Sequence, residues 1–92
     1  MASFAFLNRG AVRQDVLISS GDAPCHCGVW VDADCWTPDS RPQQIGGALD
    51  LPRSEWEGLA SAERLILTLV ENGEPYRMIL DGANGRFVAH RL

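Results

Sequence analysis

Cys25, His26 and Cys27 form the densest group of metal-ligating side chains in the sequence, with Cys35 eight residues beyond Cys27 and His90 far along the chain. Zinc takes four sulfur or nitrogen ligands in a tetrahedron, and its most specific signature is a pair of C-x2-C knuckles. Here there is a C-x-C with one further thiol. On an extended strand Cys25 and Cys27 would point the same way about 7 Å apart, too far to share a metal unless the strand bends. The pattern reads first as structural thiols, buried or semi-buried. Its alternatives are a metal site drawn from Cys25, Cys27, Cys35 and a histidine, or a redox group. No cofactor is implied. Three cysteines cannot all pair within one chain and no secretory signal precedes them, so the expected compartment is the cytoplasm.

Asp32 and Asp34 could serve a hydrolase or hold a hard cation, but two carboxylates do not make a site. With no third acid or histidine near them in sequence, they read as a solvated strand end. Neither G-x-S-x-G nor G-x-G-x-x-G occurs, and a chain without lysine has no P-loop. The expectation is a protein that is not an enzyme. Trp30, Trp36 and Trp56 are many tryptophans for 92 residues. Trp56 suits a core staple for a short helix. Trp36 and Arg41 fall in a polar stretch and are of the types enriched in interface hot spots, so they lead the contact candidates, with Gln43 and Gln44 beside them.

The net charge is −4, and the eight basic residues are arginines spread without a run. A nucleic-acid reader needs a basic stripe to neutralise phosphates, and none is present. Arginine-only usage fits a GC-rich coding genome as well as selection for bidentate pairs. Hydrophobic residues at 46% and charged residues at 22% describe a folded chain, and the length describes one domain. Nothing approaches the run of about 20 apolar residues that spans a membrane. Residues 1–11 read as an arm whose Phe4, Phe6 and Leu7 dock on the core or on a neighbouring subunit, and residues 12–92 as the domain.

The elements that would position these groups are mostly strands. VRQDVLIS at 12–19 alternates, SSGDAP turns, and CHCGVWVD at 25–32 alternates again, which makes a hairpin. Residues 33–47 lose all apolar period and read as a long, mobile, exposed loop, a length usually reserved for function. Ala48–Leu51 reads as a short strand, and Ser54 with Glu57 has capping-box spacing ahead of a helix of one to two turns. RLILTLVE at 64–71 reads as a strand buried on both faces. Asn72-Gly73 reads as a two-residue type I′ turn, and 75–80 and 86–91 complete a meander. The fold class is mainly β, a small β-barrel or sandwich of about six to seven strands with one short helix, since barrel closure removes exposed edges.

The order strand, turn, CGVWVDAD, long loop, short strand into LPRSEWEGL, then RLILTLVENGEPYRMILDGANGRFVAHRL resembles the lambda-type head-tail joining proteins of tailed phages, also described as connector, stopper or neck proteins. The parallels are closest over residues 51–59 and 65–92, including the Tyr76-Arg77 pair, and extend over residues 12–92. The resemblance implies a β-barrel with a short helix in a hexameric or dodecameric ring. Such a ring sits between the portal or adaptor of a DNA-filled head and the terminator or tube of the tail, helps retain DNA, and has no enzymatic activity. It implies a virion protein made in the bacterial host cytoplasm, with DNA passing through its channel without sequence-specific binding and with no membrane partner. The family's mobile loop, thought to order on assembly, corresponds by position to residues 36–47. The family's longer N-terminal helical region is reduced here to residues 1–11, and Cys25-His26-Cys27 is not part of the family pattern. An acidic surface would suit a channel that passes DNA without holding it. A small intracellular binding or inhibitor module remains the other non-metal alternative.

Overall fold

The computed structural model describes residues 10–21, 24–33, 42–71, 73–81 and 84–92. Alternating apolar residues build strands β1 (Val12–Ser19), β2 (Cys25–Val31) and β3 (Gln44–Leu49). Helix α1 (Arg53–Ala60) follows, then β4 (Leu65–Leu69), β5 (Pro75–Asp81) and β6 (Arg86–Arg91). The strands close into an antiparallel barrel in the order β1-β2-β3-β6-β5-β4, with β4 paired back to β1. The architecture is therefore a barrel and not a sandwich. Every second residue points inward, and Val16, Ile18, Val29, Val31, Ile45, Leu67, Tyr76 and Phe87 fill the interior with almost no solvent exposure. No helix among the described residues is long and apolar enough to cross a membrane.

Strand β3 begins at Gln44, inside the stretch read from sequence as loop. The misleading feature is Gly46-Gly47, which reads in sequence as punctuation. In the barrel Gly47 pairs with Val31 and Phe87, and a Cβ there would fall on the Trp30 carbonyl oxygen and 2.8 Å from its carbon. The strand needs glycine because two backbones meet at that point. Of the Gln43 and Gln44 candidates, Gln44 begins the strand and Gln43 precedes it, while Trp36 and Arg41, with Asp34 and Cys35, lie outside the described residues. The arm's Phe4, Phe6 and Leu7 also lie outside them.

The helix is stapled as expected, with Trp56 its one buried residue, but the capping box is not formed. The N-cap is Pro52, whose carbonyl accepts from the N–H groups of Glu55 and Trp56 at 2.9 and 3.2 Å. A proline offers no N–H for a reciprocal carboxylate, and Ser54 lies inside the first turn. Glu57 instead pairs with Arg53 at 3.5 Å. Trp56 joins the core together with Leu51, Leu59, Ala62 and Leu80 packed against it, so the helix closes one end of the barrel.

Two further corrections come from the meander. In β4 only Leu65, Leu67 and Leu69 are buried; Ile66 and Thr68 are half-buried and Val70 is exposed, as a single-layered barrel wall requires. The β4–β5 turn is longer than two residues. The Leu69 N–H donates to the Glu74 carbonyl at 3.0 Å and the Gly73 N–H to the Leu69 carbonyl at 2.7 Å, which leaves residues 70–73 as the connection. Gly73 does take the expected positive φ, +70°. Asn72 lies outside the described residues.

Gly47→Ala should lower stability by roughly 3 kcal/mol or more, because the methyl meets backbone that cannot swing away. Gly58→Ala, at a position with open space around it, should raise stability slightly. Thermal unfolding of the two variants checks both signs.

Candidate functional site

The connection between β2 and β3 is anchored at both of its roots. At the near root, the Asp32 N–H donates to the Gly46 carbonyl at 2.8 Å. The Asp32 carboxylate then meets the Arg86 guanidinium at 2.5 Å, with both side chains mostly buried. Arg86 stands on β6 and Asp32 just beyond β2, so the pair spans β3 above Gly46. A Cβ on Gly46 would sit 3.6 Å from the Asp32 carboxylate, so glycine leaves the space through which the two side chains meet. The solvated strand end read from sequence is instead a charge-assisted anchor.

At the far root, Tyr76 is fully buried and its hydroxyl donates to the Pro42 carbonyl at 2.9 Å. Next to it the Arg91 N–H donates to the Gln43 carbonyl at 2.8 Å. These bonds tie the far end of the connection to β5 and β6. Beside the Asp32–Arg86 pair, a cleft of about 360 Å³ is lined by Asp32, Gln44, Gly46, Asp81, Arg86 and Val88. Gln44 was a sequence candidate; Asp32, Asp81 and Arg86 as cleft residues, and Tyr76 as an anchor, were not. An inward position on β5 does tell that the Tyr76 hydroxyl must find a partner, but not which one. The cleft offers paired charges and an amide for polar contacts.

Cys25, His26 and Cys27 begin β2, at the end of the barrel that carries α1. Cys25 and His26 are exposed and Cys27 is half-buried against the core. Burial above all, reinforced by the neighbouring Cys25, pushes the Cys27 thiol up to about 11. Among the described residues no three histidine, cysteine, aspartate or glutamate side chains gather as a metal would require. His90 lies exposed on β6 beside Gln44, away from the cysteines, and Cys35 is outside the described residues.

Further along the same wall, Arg13 lies over the bare backbone of Gly28 and bridges Asp15 and Asp50, each at 3.1 Å. The hydrogen bond to Asp50 leads in holding the guanidinium's pKa above its ordinary value. This cluster is open to solvent and fixes the β2 wall locally without enclosing a ligand.

Comparison with protein-family models, with curated proteins and with solved structures gives no match for this chain.

Two outcomes follow from these anchors and thiols. Tyr76→Phe should lower stability by about 1 to 2 kcal/mol, since the Pro42 carbonyl loses its donor, and should speed amide exchange at Arg91. Alkylation of Cys27 should be slow at pH 8 and accelerate as pH rises toward 11, with Cys25 consumed first because it is exposed. The raised thiol also sets a sign for stability. Its contribution is complete below the ordinary thiol value and is lost as pH climbs from there to about 11. Mass-resolved alkylation across pH measures the order and the profile.

Proposed function

We propose that this chain is a structural subunit of a tailed-phage neck, a ring that joins the DNA-filled head to the tail and helps retain DNA. The observation that carries the reading is the order of elements. Two paired strands, a long connection, a third strand, a short helix and a three-strand meander close into one small barrel, the architecture implied by the resemblance over residues 12–92. One barrel end is plugged by Trp56 and α1. The β2–β3 connection and the segment preceding β1 both leave from the other end. Gly10, at φ +78°, sits there, and a Cβ on it would come within 3.6 Å of the Ala33 side chain.

That arrangement suits a docking protein. The barrel supplies a rigid frame, and the chain segments carrying Trp36, Arg41, Gln43 and Gln44 and the arm's aromatics start from a common end to meet the portal or adaptor on one side and the tail on the other. Assembly as a ring adds stability by mass action to a domain whose core is small. The net charge of −4 lets DNA move through the channel without being held. The protein then acts in the virion by contact, with no catalytic role assigned to any residue and no cofactor.

Trp36→Ala and Arg41→Ala test the reading. Each variant, supplied to a phage lacking the gene, should melt at the temperature of the parent yet reduce the yield of joined particles by at least about tenfold, the scale of a lost hot spot. Parental yields with both variants would remove the connection from the docking surface, and a large fall in melting temperature would make these side chains part of the core.

A further inference from the structure

Most arginines of the barrel are held by carboxylates. Arg13 bridges Asp15 and Asp50, Arg53 meets Glu57, Arg86 meets Asp32 and Arg91 meets Glu74. Arg64 and Arg77 are different: both are exposed, and neither makes an ion pair among the described residues.

The fold brings these two side by side. Strands β4 and β5 pair with Leu65 opposite Met78 and Ile66 opposite Arg77, and the same register sets Arg64, just before β4, opposite Ile79. Leu65 and Met78 are buried in the core, so their neighbours along each strand turn outward. The outer face therefore carries a square of four side chains. Arginines occupy one diagonal, about 7 Å apart at their Cβ atoms, and isoleucines the other.

Neither diagonal is covered. Ile79 is 56% exposed, the highest value for a large hydrophobic residue within a described strand, and Ile66 is half-buried. Two hollows flank Arg64. One, of about 170 Å³, lies between Arg77, Ile79 and the end of α1 at Ala60; the other, of about 480 Å³, lies between Ile66 and the turn at Ser19–Gly21. Both have Glu63 and Arg64 in their walls, so they run together as one groove across the start of β4. Glu63 is the one carboxylate among its described lining residues, and His90 faces Arg77 from β6.

The occupant follows from both diagonals at once. A guanidinium without a partner offers a planar fork that matches a carboxylate or a phosphate. A nucleic-acid backbone would meet the arginines, but it would leave the isoleucines uncovered and would approach a chain of net charge −4. A peptide carrying acidic and apolar side chains satisfies all four positions, since its carboxylates pair with the arginines and its apolar groups cover the isoleucines.

We propose that this groove is a docking surface for an extended, acidic and apolar segment of a partner protein. Arg64 and Arg77 take its carboxylates, and Ile66 and Ile79 take its apolar side chains. The surface lies at the end of the barrel where α1 sits, where β1 and β5 finish and β4 starts, away from the β2–β3 connection. Nothing in this assignment depends on the neck reading, which stands or falls separately on whether particles join without the protein.

Amide spectra of the full-length, isotope-labelled protein test the surface, with a short peptide of repeating Glu-Glu-Leu-Leu as the probe, because that repeat puts both kinds of side chain on each face of an extended strand. Signals of Arg64, Ile66, Arg77 and Ile79 should move as the peptide is raised to about 2 mM, and added salt should weaken the effect. Arg64→Glu and Arg77→Glu, both exposed changes, should each raise the apparent dissociation constant at least about tenfold, while Arg53→Ala, outside the groove, should leave it as in the parent. The double variant Arg64→Glu, Arg77→Glu should instead take a Lys-Lys-Leu-Leu repeat, which shows that its fold is intact. Unmoved signals at the highest peptide concentration, shifts scattered over the barrel, or parental binding by Arg77→Glu would overturn the proposal. So would an equal response to a Glu-Glu-Ser-Ser repeat or to oligothymidylate, which would make the surface a general anion site, and so would movement of the same signals with protein concentration alone, which would make a second copy the occupant.

Discussion

Closure of the barrel hangs on a narrow seam. Strands β2 and β3 meet over only three residue pairs, Val29 with Leu49, Trp30 with Ala48 and Val31 with Gly47. Backbones come so close there that position 47 admits no side chain. Without this seam the sheet would be open, with long edges at β2 and β3, and the interior built on Tyr76, Phe87 and the leucines of β4 would face water. The anchors beside the seam have the same effect. Asp32 and Arg86 clasp across Gly46, and Tyr76 holds Pro42, so the two ends of the β2–β3 connection are fixed to the barrel wall.

That rigidity gives the functional reading its physical content. On the proposed reading, a joining protein would present contact segments from a defined place while its own fold stays unchanged; Trp56 closes one end of the barrel, and β1 begins and β2 ends at the other.

Much of the fold was legible because the hydrophobic period is regular where one wall of the barrel faces the core. Val12–Ser19 and Cys25–Val31 alternate plainly, and their pairing follows from the turn between them. The meander was legible for the same reason, although its first turn is two residues longer than Asn-Gly suggests. Strand β3 was hidden because glycines at 46 and 47 serve close packing, a tertiary demand that looks like a turn in one dimension. The capping box failed on Pro52, which took the cap position two residues before Ser54. The cleft was least legible of all. Asp32 and Arg86 are 54 residues apart, and only the closed strand order brings them to one place.

The central claim is that this barrel is a joint between a phage head and its tail, and electron microscopy of lysates from the phage carrying the gene, after its deletion, tests that most directly. The account predicts DNA-filled or emptied heads beside separate, complete tails. Intact virions in normal numbers would contradict it.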